Sequence, residues 1–295
     1  MEISAAAFNQ QVSRRSFLRG ALYGAGSLAL YAGEFERHWL EVVPKDIRIS
    51  GLPADFDGLR IAQLSDIHLD EFTEPFLLRE AIDEINRARP DVVLLTGDYV
   101  SSEALTPRLT VAAAWQCGRL LNQLDCRQRY AIFGNHDIWA GEQHVGDALQ
   151  SNGITVLRNS YLPFERGGGR MRLAGLDDPV CGQPDPDRAI PPSIRNIANE
   201  PILLMCHAPD YVDVLREHPA GQAVSLVLSG HTHGGQIRLP FVGPLRLPPG
   251  GRKYVEGLFQ LGTTQLYVNR GIGSVGVPFR FDCRPEITLF TLRSV

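Results

Sequence analysis

The chain has 295 residues, 44% hydrophobic and 21% charged, with a formal net charge of -4. Its length can bury one large core or two small ones, and its balance excludes the basic field with which nucleic-acid binders hold phosphate backbones. Its five cysteines (Cys117, Cys126, Cys181, Cys206 and Cys283) are odd in number and lack CxxC spacing, so neither a disulfide framework nor a cysteine-based zinc site is read.

At the N-terminus, Ser13-Arg14-Arg15-Ser16-Phe17-Leu18-Arg19 precedes a weakly apolar run from Ala21 to Ala32. Twin arginines before a short apolar segment resemble a twin-arginine export signal, a receptor-read address for carrying folded proteins across a membrane. Residues 1–33 are expected to act as that signal or as a membrane anchor. The expected partner is the export machinery, and the expected location is the periplasm, the cell envelope or the outer face of the cytoplasmic membrane. Cleavage and retention both stay open. Leu30-Tyr31-Ala32 is an imperfect cleavage site, and the apolar run falls short of the ~20 residues of a spanning helix unless it extends past a snorkelling Arg19.

Residues 34–45, mixed in charge with Pro44 near the end, read as a linker. Strands are expected at Asp46–Ser50 and Leu59–Leu64, the second leading into Asp66 and His68. Thr73 is the expected N-cap of a helix through about Arg87, with Leu78, Ala81, Ile82 and Ile85 on one face. Val92–Leu95 is a continuous apolar run of the kind buried on both faces, and it ends at Gly97-Asp98. A helix over Arg108–Leu124 and a strand over Tyr130–Phe133 lead to Gly134-Asn135-His136-Asp137. A third helix near Glu142–Ser151 stops at Asn152-Gly153. Further strands are expected at Thr155–Leu157, Arg170–Leu176, Ile202–Cys206, Val224–Ser229, Gln265–Asn269 and Glu286–Leu292. Gly167-Gly168-Gly169 reads as a hairpin tip, and Cys206 as a small buried hydrophobe. Strand–helix alternation followed by a strand-rich half points to two sheets packed face to face with helices outside.

The chemistry sits where strands give way to loops. Asp66-Ile67-His68, Gly97-Asp98, Gly134-Asn135-His136-Asp137, His207 and Gly230-His231-Thr232-His233 hold five of the chain's eight histidines. Carboxylate, amide oxygen and imidazole together suit a pair of divalent first-row metals better than one structural zinc. Two such ions roughly 3.5–4 Å apart are suited to in-line attack on phosphorus. Taken singly, an Asp or Asn after a strand is usually a turn former, and a His a satisfied polar residue. The ordered set is what carries the reading.

These blocks resemble, in residue and in order, the calcineurin-like metallophosphoesterases, over about Lys45 to the C-terminus. The resemblance implies an α/β fold, a four-layer α/β/β/α sandwich forming one catalytic domain over 46–295. It implies that Asp66, His68 and His233 hold one metal, that Asn135, His207 and His231 hold the other, and that Asp98 bridges them. Two divalent ions (Mn, Zn or Fe) are the implied cofactors. The implied reaction is hydrolysis of a phosphoester by a hydroxide held between the metals, with His136 stabilising the transition state or protonating the leaving oxygen. Asp137 either orients His136 or serves the following turn.

Departures from relatives narrow the substrate. Gly97-Asp98-Tyr99-Val100-Ser101-Ser102 lacks the further Asp and Arg of phosphoprotein phosphatases. Ser101 stands where purple acid phosphatases need a tyrosine. The apolar, proline-rich stretch from Gln236 to Pro249 and the run Arg270–Arg280 resemble a membrane-associated or exported bacterial branch, some members of which act on lipid-linked phosphates. Arg238, Phe241, Arg246 and Arg280 are the candidate substrate contacts, with Leu245, Leu247 and Phe279 beside them; a loop packed on the core is the competing expectation. A phosphodiesterase is the leading expectation, with lipid-linked phosphates as the candidate substrate class and membrane association as a candidate property. The alternatives are a pyrophosphohydrolase or monoesterase resembling UDP-diacylglucosamine hydrolases, and a catalytically silent metal-binding envelope protein.

Overall fold

The computed structural model describes residues 13–70, 75–101, 106–195 and 197–295. In chain order they form α1 (Arg14–Leu30), β1 (Glu41–Ile49), β2 (Arg60–Leu64), α2 (Pro75–Ala88), β3 (Val92–Leu95), α3 (Pro107–Leu121), β4 (Arg129–Ala131), α4 (Asn135–Ser151), β5 (Thr155–Val156), β6 (Ser160–Arg166) and β7 (Gly169–Gly175). There follow α5 (Pro186–Ala189), β8 (Ile202–Met205), α6 (Tyr211–Glu217), β9 (Val224–Ser229), β10 (Arg238–Leu239), β11 (Gly243–Pro244), β12 (Gly257–Leu261), β13 (Thr264–Val268) and β14 (Glu286–Ser294).

The strands pair into two six-stranded sheets, ordered β1-β14-β2-β3-β4-β5 and β12-β13-β9-β8-β7-β6, with β10 and β11 as a separate hairpin. The inner strands of each sheet run parallel, β2 through β5 in one and β13, β9, β8 and β7 in the other. Parallel strands end on a common edge, so loops far apart in sequence meet there.

The period-two alternation of a strand sorts side chains into layers. Val92 and Leu94 of β3 join the core between the sheets, where Leu203 and Met205 of β8 meet them. Val93 and Leu95 face the other way, onto Leu78, Ile82 and Ile85 of α2 and Cys117 and Leu121 of α3. Leu204 and Val227 cover the outer face of the second sheet with Val212 and Leu215 of α6. Burial of each such side chain contributes about 2 kcal/mol. This is the four-layer α/β/β/α sandwich. The five cysteines are all free, and Cys206 is buried on that outer face.

Several local expectations are corrected. The stretch read as a linker contains the start of a strand: β1 begins at Glu41 and runs parallel to β14, Glu41 opposite Glu286. As an edge strand it has one neighbour and tolerates polar residues, which hid it. Residues just after α1 are docked as well. The Ala32 carbonyl accepts from the Arg280 amide at 3.0 Å, and the buried Glu36 carboxylate accepts from the Cys283 amide at 2.8 Å. Helix α4 contains the expected Glu142–Ser151 segment beyond a kink at Gly141, and ahead of that kink it has an opening turn from Asn135 that was not expected. Strands β6 and β12 and helix α6 lay in stretches without a clean periodicity. The turn at Gly167-Gly168 joins β6 to β7, as the glycine run suggested. The N-cap assigned to Thr73 lies outside the described residues. Helix α1 is capped by Ser13, whose Oγ accepts from the Ser16 amide at 3.1 Å, and none of its residues is buried. Among the described residues no helix is long and apolar enough to cross a membrane.

Candidate metal centre

Asp66 and His68 follow β2, Asp98 follows β3, and Asn135 and His136 open α4 just after β4. His207 follows β8, and His231 and His233 follow β9. The two parallel edges thus contribute to one buried pocket. Asp66, His68 and His207 are fully buried, and none of Asp98, Asn135, His136, His231 or His233 is more than 6% exposed. Several sit on left-handed backbone: φ is 49° at Asp66 and at His68, 57° at Asp98, 73° at His231 and 52° at His233. Such strain persists only where surrounding structure holds it, and it concentrates at functional sites.

The donor atoms of Asp66, His68 and His233 lie within 4.8 Å of one another, as do those of Asp98, His207 and His231. Asp98 connects the groups, with Oδ2 3.5 Å from His68 Nε2 and 3.1 Å from His207 Nε2. It also forms a third such group with His68 and His136. His68 Nε2 and His233 Nε2 face each other at 3.1 Å, a separation that a cation held between the two lone pairs would satisfy. Asn135 Oδ1 is buried without a hydrogen-bond partner, which costs energy unless a ligand takes it. These residues fit divalent metal ions, although the donor types do not choose among them.

Outer contacts orient the rings, as ligand imidazoles require. His207 Nδ1 is 2.7 Å from the Thr96 carbonyl, which turns Nε2 toward Asp98. His231 Nε2 is 2.8 Å from the Pro249 carbonyl, which leaves Nδ1 for the pocket. Burial, then the charge of His136, holds His68 well below the usual histidine range. Burial and then His207 bring His231 down to about 4. His233 is lowered by burial and next by Arg280. Rings kept neutral in this way are in the form that binds metal. Burial acts against ionisation of both Asp98 and His207, but their mutual attraction overrides it, lowering Asp98 and raising His207.

Two glycines make room for the carboxylates. A Cβ at Gly134 would lie 2.2 Å from Asp98 Oδ1, and one at Gly230 would lie 2.2 Å from Asp66 Oδ2. Asp137 is a structural clamp. Its carboxylate accepts from the amides of Asp98 (2.8 Å), Tyr99 (2.8 Å) and Gly134 (2.9 Å), tying the head of α4 to the loop after β3. The His136 amide donates to Asp98 Oδ1 at 2.8 Å, and its ring meets His68 edge-on at 4.7 Å.

The candidate substrate contacts divide. Arg280 is fully buried, and its guanidinium donates to the carbonyls of Gly273, Cys283, Arg270 and Gly271. This corrects its assignment to substrate. The glycine-rich loop points several carbonyls inward, and Arg280 satisfies them while its Nη2 lies 3.4 Å from His233 Nδ1. Arg238 is ion-paired with Glu256. Phe279 is half-buried against Gly33 and forms no lip. Phe241 and Arg246 do stay exposed, Phe241 fully.

Two residues near the pocket escaped the motif reading. Asp178 is fully buried; Oδ1 accepts from the amides of Val180 and Cys181 at 2.9 Å, and Oδ2 has no partner. Its signal was the same strand-then-Asp pattern that marked Asp98, masked by the Pro/Asp-rich stretch around it. Trp139, three residues beyond His136, packs edge-to-face on that ring at 5.1 Å.

The calcineurin-like phosphoesterase family profile matches residues 59–235. Uncharacterized metallophosphoesterase YkuE of Bacillus subtilis (strain 168) is 36% identical over 302 residues, covering 97% of this chain and 99% of that one. Phosphodiesterase YaeI of Escherichia coli (strain K12) is 34% identical over 95% of this chain and 99% of its own length. A transmembrane protein with metallophosphoesterase domain from Danio rerio is 32% identical, over 86% of this chain and 57% of its own length. The chain belongs to the calcineurin-like phosphoesterase family and is a phosphoester hydrolase.

Proposed function

We propose that the chain is a phosphodiesterase using two divalent cations, acting outside the cytoplasmic membrane on diesters that carry a lipid or other apolar group. In this reading Asp66, His68 and His233 hold one cation, Asn135, His207 and His231 hold the other, and Asp98 is shared. The position of Asp98 Oδ2 between His68 and His207, at 3.5 and 3.1 Å, carries the proposal. One carboxylate oxygen that serves both donor groups balances charge that neutral imidazoles cannot.

When bound, the cations supply an activated water and neutralise charge on the phosphoryl oxygens. The chain's own task is to hold and deliver. The clamp of Asp137 and the Asp98–His136 bond set the His136 ring beside the pocket, where it can hand a proton to the departing oxygen. Among the described residues, Arg238 and Arg280 are engaged by Glu256 and by backbone carbonyls. That withdraws two of the three arginine candidates, leaving exposed Arg246, from the second charge of a monoester, which favours a diester. The name of the Escherichia coli relative agrees.

An apolar substrate is supported by exposed Phe241, Val242 and Leu245 on the segment after His233. Export is supported by the Arg14-Arg15 pair on a helix with no buried residue, attached outside the sandwich. The deciding assay compares bis-p-nitrophenyl phosphate with p-nitrophenyl phosphate, using metal-stripped protein refilled with Mn²⁺ or Zn²⁺. Preference for the diester that is lost in Asp98→Asn is the expected result. Preference for the monoester would overturn the diesterase reading, and no turnover despite two bound ions would favour a silent metal-binding protein. Replacing Arg14 and Arg15 by lysines should strand the protein in the cytoplasm; unimpaired export would remove the leader assignment.

A further inference from the structure

A ladder of rings runs from the metal pocket to the surface. His233 and His68 lie 4.8 Å apart, His68 and His136 4.7 Å, and His136 and Trp139 5.1 Å, centroid to centroid. The first two rings belong to one donor group, and the last is 54% exposed. A tryptophan so exposed leaves apolar surface in water without folding benefit. Trp39, exposed to a similar 52%, has its face covered by the Arg284 guanidinium at 3.6 Å. The ring contact of Trp139 is instead with His136.

The backbone presents this indole deliberately. Residues three apart share a helix face, so Trp139 lies over His136 within the first turn of α4. That turn is pinned to the metal-site loops through the Asp137 carboxylate and the His136 amide. Gly141 then leaves the helical conformation at φ 104°, ψ 88°. The opening turn is thereby uncoupled from the direction of the rest of the helix. The indole is fixed relative to the pocket while its exposed surface is free.

We infer that Trp139 and His136 form a subsite for a planar ring on the leaving group of the substrate. The inference rests on the phosphodiesterase reading for the role of His136, since a proton handed to the leaving oxygen places the leaving group along this ladder. Ring-on-ring contact suits an aryl or heteroaryl group, and the expected gain is about tenfold in affinity.

The test uses two phosphonates that no phosphoesterase can hydrolyse, benzylphosphonate and propylphosphonate, titrated into the Mn²⁺-loaded protein by calorimetry. The aromatic ligand should bind about tenfold more tightly. That preference should vanish in Trp139→Ala and persist in Trp139→Phe, with both variants retaining the wild-type metal content. An equal preference in wild type and Trp139→Ala, or none in wild type, would overturn the subsite. Kinetics supply a second discrimination. Trp139→Ala should raise KM for bis-p-nitrophenyl phosphate about tenfold with kcat little changed, leaving glycerophosphoethanolamine kinetics as they were. A fall in kcat for both substrates, with KM unchanged, would mean that Trp139 only steadies His136, and would sink the proposal. Retained aromatic preference without turnover of any diester would refute the phosphodiesterase reading and uphold the ring subsite.

Discussion

The amide of His231 donates to both carboxylate oxygens of Asp66, each at 3.0 Å. Asp66 follows β2 of one sheet and His231 follows β9 of the other, so this fork joins the two sheets at the point where the donor groups assemble. Gly230 lets it form. A methyl there would fall 2.0 Å from Ser65 Oγ and 2.2 Å from Asp66 Oδ2. Gly230→Ala is therefore expected to weaken binding of the metal at the Asp66 group by roughly 10–100-fold. Metal titration followed by competition with a chelator measures this.

Asp98 is within reach of both donor groups. Asp98→Asn should lower occupancy of both ions together, as counted by elemental analysis after dialysis. Loss of one ion alone would remove the shared role.

The His136 amide donates to Asp98 Oδ1 at 2.8 Å, which places the residue beside the pocket. His136→Ala should keep two bound ions and lower kcat by about 10²–10⁴-fold, the usual contribution of a positioned acid. Unchanged kcat would end its catalytic assignment.

Arg280 predicts the opposite pattern. Its guanidinium satisfies backbone carbonyls in the interior, so Arg280→Met should cost about 3 kcal/mol or more in denaturant unfolding. If Arg280 touched substrate instead, the same variant would raise KM at nearly normal stability.

His231 supplies a pH dependence for the metal-stripped protein. Its folded value of about 4 lies below the ordinary 6.5, so between those limits the unfolded chain binds more protons. Stability is then complete above pH 6.5 and falls as pH drops toward 4, by ~3 kcal/mol from this group. Urea midpoints measured across that window check it, and His231→Gln should flatten this part of the curve.

Much of this was legible in the chain. Asp66, His68 and Asp98 follow strands whose period-two pattern or continuous apolar run is written locally, and the layered architecture followed from strand–helix alternation. The ordered set of ligand blocks identified the family because each needs a short, fixed spacing. Other features depend on partners remote in sequence. Glu41–Lys45 reads as polar linker until β14 lies beside it, since an edge strand needs only one neighbour. Arg280 reads as a surface cation until carbonyls of Arg270, Gly271, Gly273 and Cys283 converge on it. The ring ladder from His233 to Trp139 joins two loops to the start of α4, and no local pattern encodes the whole of it. Residue type and spacing determined which chemistry the chain can perform, because ligand donors and strand periodicity are short-range. Tertiary structure decided which charged and aromatic side chains are buried as supports and which stay exposed, because burial depends on what packs from elsewhere.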